Sequence, residues 1–294
     1  MDQMVGQNVQ GQRDKVVIIM GATGTGKSKL SIYLATRYRA EIVNSDKMQV
    51  YKGLDIVTNK VTWEEQCGVP HHLLGIRDPY TDFTVEDFCY SALHAIESIL
   101  SRGRLPIIVG GSNRYIEALI DGDESKFRSK YNCCILWVDV SMEKHYPFLS
   151  ERIDQMVENG LIEELSEMFD PNLDYSRGIF RSIGVPEFDQ YFRTKPYLND
   201  ENCEMLLQKA ISEMKENTWD LAHRQLKKIH RLQYGKGWGM HRLDATEVFG
   251  KRGKEAEEAW KDCVGGPGLR IVAHFLKDIT KQAPADVIAV DHES

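Results

Sequence analysis

The chain has 294 residues, of which 42% are hydrophobic, 28% charged and 9% aromatic; this is ordinary globular usage and excludes collagen-like, disordered and membrane-spanning classes. A balance of 37 basic against 44 acidic residues leaves a net charge of −7, which excludes a general coater of nucleic acid. No run approaches the ~18 apolar residues that cross a bilayer, and Cys67, Cys89, Cys133, Cys134, Cys203 and Cys263 form no C-x-x-C pair, so they read as reduced thiols.

The amino-terminal stretch MDQMVGQNVQGQRDK has no apolar core of a secretory signal and is too short and Gln-rich for a complete plastid leader. Residues 1–14 are expected to form a disordered tail. Val16-Val17-Ile18-Ile19-Met20 then reads as a strand buried on both faces. It runs into Gly21-Ala22-Thr23-Gly24-Thr25-Gly26-Lys27-Ser28, which satisfies G-x-x-x-x-G-K-[ST] in the context that motif needs, a strand before and a helix after. Glycines let backbone N–H groups converge on phosphate oxygens, and a helix amino terminus adds partial positive charge. Lys27 supplies a mobile cation and Ser28 a ligand for Mg²⁺.

Lys27 to Tyr38 has helical spacing, with Leu30, Leu34 and Tyr38 inward, and Glu41-Ile42-Val43-Asn44 is a second strand. Thr84 followed by Asp87 signals a helix start, with Phe88, Ala92, Ala95, Ile96 and Ile99 on one stripe and a stop at Gly103. Pro106-Ile107-Ile108-Val109 is a strand leading into the turn Gly110-Gly111-Ser112-Asn113. The stretch from there to Ile135 reads as mostly charged loop, and Cys134 to Val140 is the next strand. Strand signals stop at about Ser141, and 146–169, 182–193 and 201–232 read as helices.

Together these predict an α/β fold, a P-loop NTPase-like parallel sheet flanked by helices, with an appended mostly helical subdomain. The expected division is a core over 15–145, a helical subdomain over 146–235, a segment over 236–281 packing back on the core and a frayed tail over 282–294. Without repeats or a low-complexity linker, the two regions are expected to share one core. The phosphate loop alone leaves open which phosphate it holds. A kinase normally adds a Mg²⁺-holding Asp at a strand end, and the run 106–109 ends in Gly110-Gly111-Ser112-Asn113 instead.

Further blocks narrow the choice. Asn44 to Lys60 (NSDKMQVYKGLDIVTNK), Val69-Pro70-His71-His72-Leu73-Leu74-Gly75 and Gly110 to Leu119 are followed by Arg152-Ile153-Asp154-Gln155-Met156, Ser182 to Phe188 and Leu221-Ala222-His223-Arg224-Gln225-Leu226. This ordered set closely resembles the isopentenyltransferases that prenylate N6 of adenine. One branch of that family modifies tRNA; the other prenylates free AMP, ADP or ATP in the first step of cytokinin synthesis. The tRNA enzymes carry an extra helical segment after the glycine turn, and eukaryotic ones often add a zinc finger. Neither pattern stands in this sequence, which is similar to the plant adenylate branch. The runners-up are a tRNA adenine dimethylallyltransferase, a P-loop small-molecule kinase and a non-catalytic nucleotide-binding module.

The resemblance implies that the phosphate loop, Gly21 to Ser28, cradles the diphosphate of dimethylallyl diphosphate. It implies that Thr23 reaches the bridging region, that Lys27 and Ser28 with Mg²⁺ neutralise the terminal charge, and that Arg152 clamps from the helical side. Asp46 is implied as the base facing adenine N6; the alternative for Asp46 is a helix cap before Lys47. Ser112 joins the binding set, and Arg224 is the best candidate for the nucleotide phosphates. Between Leu221 and Leu243 the chain carries Arg224, Lys227, Lys228, Arg231, Lys236 and Arg242 with no acid, and this strip is read as the face meeting those phosphates. His71 and His72 are adjacent on an extended segment and suit lining or structural roles rather than a metal pair. Cys133-Cys134 reads as strand packing. Met156, Met168, Phe169, Phe180 and Phe188 have core-like spacing, some of them lining the prenyl slot. The expected partners are the two small substrates, with no nucleic acid and no membrane, in a monomer placed in the plastid after loss of a leader, or in the cytoplasm.

Overall fold

The computed structural model describes residues 13–122, 126–197 and 199–277. At its centre lies β1 (Asp14–Met20), whose apolar run alternates between two cores as a period of two requires. Val16, Ile18 and Met20 join one buried cluster, and Val17 and Ile19 the other. The chain covers both faces with α1 (Lys27–Tyr38), β2 (Ala40–Asn44), the two-residue β3 (His71–His72), α2 (Val85–Ser101), β4 (Leu105–Val109), α3 (Asn113–Asp121), α4 (Phe127–Lys130) and β5 (Tyr131–Asp139). There follow α5 (Met142–Glu158), α6 (Leu161–Met168), α7 (Asp189–Thr194), the long α8 (Asp200–His230), β6 (Met240–Asp244), α9 (Gly253–Trp260) and α10 (Gly266–Lys277).

The six strands run parallel in the order β3-β2-β4-β1-β5-β6. Because β2, β4 and β1 are neighbours, their carboxyl ends bring three turns together: the phosphate loop after β1, Ser45-Asp46 after β2 and Gly110-Gly111 after β4. Open parallel sheets place their ligands at this edge. α2 starts at a capping box, in which Thr84 Oγ1 accepts from Asp87 N–H and the Asp87 carboxylate accepts from Thr84 N–H. Its buried stripe is Phe88, Ala92, Ala95, Ile96 and Ile99. Ile153, Met156, Leu161, Phe188, Ile211 and Met214 of the helical half lie in the same buried cluster as Val16 and Ile18.

Several expectations need correction. Strands do not stop at Ser141, since β6 pairs with β5 from Met240 opposite Ile135 to Asp244 opposite Asp139. Only Met240 and Leu243 of that edge strand are buried, so it has no apolar run to announce it. The supposed loop after Ser112 is largely helical, as α3 and α4, with Tyr115, Ile116, Leu119, Ile120 and Phe127 buried. Over 182–193 only α7 and short 3₁₀ turns form. The expected tails at 1–14 and 282–294 fall outside the described residues except for Arg13 and Asp14, and Asp14 opens β1.

The last helices return to the first strand and helix. Trp260 stacks edge-on to Tyr33 with centroids 4.9 Å apart, and Lys29 Nζ lies 4.4 Å from the Trp260 ring. Tyr38 OH donates to the Leu269 carbonyl at 2.8 Å. Lys15 Nζ donates to the carbonyls of Phe275 and Leu276 at 2.5 and 3.2 Å, a cation at the negative end of a helix.

Candidate active site

At the carboxyl edge of the sheet lies a cleft of about 480 Å³, lined by the phosphate loop, Asn44, Asp46, Lys47, Gly110, Gly111, Arg152, Arg181 and Arg224 among others. The loop leaves β1 at Gly21 and enters α1 through Gly26, whose φ of 89° is left-handed. Gly24 has a φ of 77°, and a Cβ there would stand 2.6 Å from Leu149 Cδ2 of α5; glycine lets the loop tip press against that helix. Thr25 Oγ1 donates to the Ala22 carbonyl at 3.0 Å, and Lys27 Nζ reaches the same carbonyl at 2.6 Å. Ser28 is exposed on the cleft in the first turn of α1.

Two cations meet at this loop in a setting that disfavours their charge. Burial, with some repulsion from Arg152, brings the Lys27 ammonium down to about 8 against the pull of Asp46. Burial likewise brings the Arg152 guanidinium down to about 10, again opposed by Asp46. Arg152 Nη2 donates to Thr23 Oγ1 at 3.2 Å, while its Nε is buried with no hydrogen-bond partner. A buried charged donor left unpaired costs free energy unless something fills the site. The cationic donors gathered here suit an anion with several oxygens.

Asp46 stands where β2 ends. Oδ1 accepts from Met48 N–H at 2.9 Å, so the capping alternative is partly true, though the group capped is a turn rather than a helix. Oδ2 lies beside Gly111, where a Cβ would come within 3.5 Å of it. Asn44 fixes this turn: its Oδ1 accepts from Asp46 N–H at 3.1 Å, and its Nδ2 donates to the carbonyls of Asp46 and Leu73. Ser112 is a different matter. Its hydroxyl accepts from Lys47 N–H at 2.9 Å and it does not line the cleft, so the structure gives it a role in holding the Asp46 turn.

Arg224 does line the cleft, and Lys47, Arg181 and Lys228 are near enough to form a cationic mouth with it. The Lys47 ammonium is lowered first by burial and then by repulsion from Arg181, Lys228 and Arg224, against the attraction of Asp46. Three members of the expected basic strip point elsewhere. Arg231 and Lys236 pair with Glu117, and Lys236 also with Asp121. Arg242 pairs with Asp139 and Asp244 on the sheet edge. Their acids are distant in sequence or beyond the strip, which made the charge look uncompensated.

His71 lines the cleft with Nδ1 2.8 Å from the Val69 carbonyl, while His72 Nε2 meets the Glu41 carboxylate at 2.7 Å. The two rings therefore diverge, as expected of neighbours on a strand. Cys133 and Cys134 are packed within β5, where burial pushes their thiols up to about 11 and 12. Met156 lines the cleft beside Val57, Ile153, Ile183 and Met214, whereas Phe188 is in the core. Met168, Phe169 and Phe180 surround a separate small crevice. Among the described residues no three His, Cys, Asp or Glu side chains converge as a metal site. Sequence reasoning missed Arg181, His145 and Gln225; Gln225 sits beside Arg224 within a quoted block, and His145 gave no signal.

A family model described as IPP transferase matches residues 49–129 and 123–231. Adenylate isopentenyltransferase 3, chloroplastic, of Arabidopsis thaliana is 56% identical over 96% of this chain and 84% of its own length. Adenylate isopentenyltransferase 5, chloroplastic, of the same plant is 59% identical over 90% of this chain and 81% of its own. The adenylate isopentenyltransferase of Humulus lupulus is 42% identical over 88% and 90%. Among solved structures, a eukaryotic dimethylallyltransferase acting on tRNA superposes with a TM-score of 0.76 at 25% identity, covering 92% of this chain and 82% of that one. A tRNA isopentenylpyrophosphate transferase from Bacillus halodurans gives 0.66 at 28% identity over 90% and 100%.

Proposed function

The chain belongs to the IPP transferase family, and on that premise we propose how its cleft moves a dimethylallyl group from dimethylallyl diphosphate to N6 of the adenine in a free nucleotide. The N6–C1 bond forms as the allylic C1–O bond breaks, its electron pair leaves with diphosphate, and N6 gives up a proton. The observation that carries the assignment of parts is the buried Arg152 guanidinium, which touches the phosphate loop through Thr23 and keeps an unpaired Nε donor, in one cleft with a single carboxylate, Asp46. Developing negative charge on the leaving group calls for donors already in place. The loop amides, Lys27 and Arg152 are those donors, with Thr23 at the bridging oxygen.

Adenine N6 is a poor nucleophile while its lone pair is delocalised, so it attacks as its proton departs. Asp46 Oδ2, not engaged in holding the turn, is the acceptor. Mg²⁺ fits as an ion carried largely by the substrate: it keeps water and phosphate ligands, and Ser28 with the diphosphate would hold it. When bound it supplies further positive charge to the leaving group. The nucleotide phosphates meet Arg224, with Lys47, Arg181 and Lys228 at the same mouth. The prenyl tail lies against Val57, Ile153, Met156, Ile183 and Met214.

The test is incubation with Mg²⁺, dimethylallyl diphosphate and, separately, AMP, ADP, ATP and unmodified tRNA, followed by mass spectrometry of the base. One added C₅H₈ unit on a free nucleotide is the expected product. Modification of tRNA alone would transfer the assignment to the other branch, and movement of a labelled γ-phosphate would replace it with a kinase. The names of the two Arabidopsis thaliana relatives above place them in chloroplasts, and that of a third, 47% identical, places it in mitochondria; a plastid is the compartment proposed here. No helix among the described residues is long and apolar enough to cross a membrane.

A further inference from the structure

Thr23 is gripped by its backbone from two sides. His145 of α5, only 1% exposed, places Nε2 2.8 Å from the Thr23 carbonyl. From α8, Gln225 Oε1 accepts the Thr23 N–H at 2.7 Å, and Gln225 Nε2 donates onward to the Gly111 carbonyl at 2.9 Å. Gln225 is itself buried, and its backbone carbonyl accepts from Asn113 Nδ2 at 3.0 Å. Thus two helices outside the phosphate loop fix the peptide units before and after one of its residues.

The hydrogen-bond directions follow from the chemistry of each group. A carbonyl only accepts, so the proton of the ring sits on Nε2. Burial, with repulsion from Lys27, Arg152 and His223, lowers that imidazole to about 4 despite the Thr23 bond, so it is a neutral donor and adds no charge to the anion site. Thr23 N–H is consumed by Gln225, leaving the Thr23 side chain as the part that can face a ligand. Its Oγ1 already accepts from Arg152 Nη2, which leaves the hydroxyl hydrogen to donate. A hydroxyl beside a Gly with φ of 77° keeps a fixed direction only if its backbone is held from elsewhere.

We infer that His145 and Gln225 are positioning residues, a two-sided clamp on the Thr23 peptide that aims its hydroxyl at the oxygen on which charge develops as the diphosphate departs. The inference rests on the reading that this loop holds the donor. It predicts a particular kinetic split: an aim that matters only in the transition state affects kcat, whereas ground-state donor affinity is carried by Lys27, Arg152 and the loop amides.

The experiment compares the full chain with His145→Leu, His145→Gln and Gln225→Leu, measuring kcat, donor Kd by titration calorimetry with dimethylallyl diphosphate alone, and Tm. Misplacing a catalytic group by about 1 Å can cost ~10²-fold, so the Leu variants are expected to lose ~10–100-fold in kcat with donor Kd within ~3-fold of the starting protein. His145→Gln, whose amide N–H extends to where Nε2 stands, is expected to recover most of that loss. Should a Leu variant not fold, His145→Gln against His145→Asn decides, because the shorter amide reaches only the Nδ1 position; at equal Tm the Asn variant is expected to be at least ~10-fold slower. Unchanged kcat in the Leu variants, losses that simply follow donor Kd, or a Gln variant no faster than its Leu or Asn counterpart would each overturn the clamp. Failure of the reaction reading is told apart, because it appears as absent transfer by the unaltered protein.

Discussion

Asp46 divides its two oxygens between a turn and the cleft, and that division makes its role separable. Asp46→Asn keeps an acceptor for Met48 N–H but no longer takes a proton. Loss of a general base costs ~10²–10⁴-fold, so kcat is expected to fall at least ~100-fold while calorimetric donor affinity holds. A variant that turns over normally would remove Asp46 from proton transfer. Lys27 gives a second residue-level test, through pH. With its ammonium lowered to about 8 by burial, the free protein loses that charge as pH rises through 8, and kcat/KM for the donor should decline there. Lys27→Arg stays protonated, so whatever its absolute rate, that basic limb should vanish. A flat wild-type profile to pH 9.5 would contradict the cradle assignment. Asp46, Lys27 and Arg152 were legible because each stands in a block of characteristic residues. His145 and Gln225 were not, because what they bind is a carbonyl and an amide of Thr23, and a backbone group leaves no mark on the sequence.

Among the elements, buried apolar runs and caps gave α1, β2, α2 and β4 to within a residue or two, since those strands are covered on both faces, while β1 and β5 begin two and three residues before their apolar runs. Edge strands lack that cover, and β3 and β6 went unseen for this reason; short, charged edges also discourage pairing with other chains. α3 was passed over although Tyr115, Ile116, Leu119 and Ile120 form a buried stripe, because the charged residues that follow dominated the reading. The β2–β3 edge carries its own prediction. Glu41, with a side chain 5% exposed, bonds Arg102 and His72 and lies 3.5 Å from Arg104. Burial opposes its ionisation, yet Arg102 and His72 hold the carboxyl below its usual range. With the folded value depressed, its contribution is present above the unfolded pKa of ~4.3 and is lost as pH falls through the folded one. The Tm of Glu41→Gln should therefore lie below wild type at neutral pH and converge on it in acid. A gap that stays constant down to pH 3 would mean that ionisation is not the cause.

For the molecule as a whole, the two halves cannot be separated without opening a core. Val17 and Ile19 of β1 share a buried cluster with Leu243, Trp260, Val264 and Val272 as well as with Leu30 and Leu34 of α1, so a chain ending at Gly235 keeps α1 on that sheet face but loses the rest of its cover. That truncation is expected to show no cooperative thermal transition by circular dichroism; a sharp one would make the carboxyl-terminal elements dispensable. Lys15, in the first strand, is tied to carbonyls 260 and 261 residues later. A polypeptide leaving the ribosome thus presents its opening strand long before the partners that complete it exist. Contacts this distant in sequence slow folding, and intermediates that expose an unfinished core attract association with other chains.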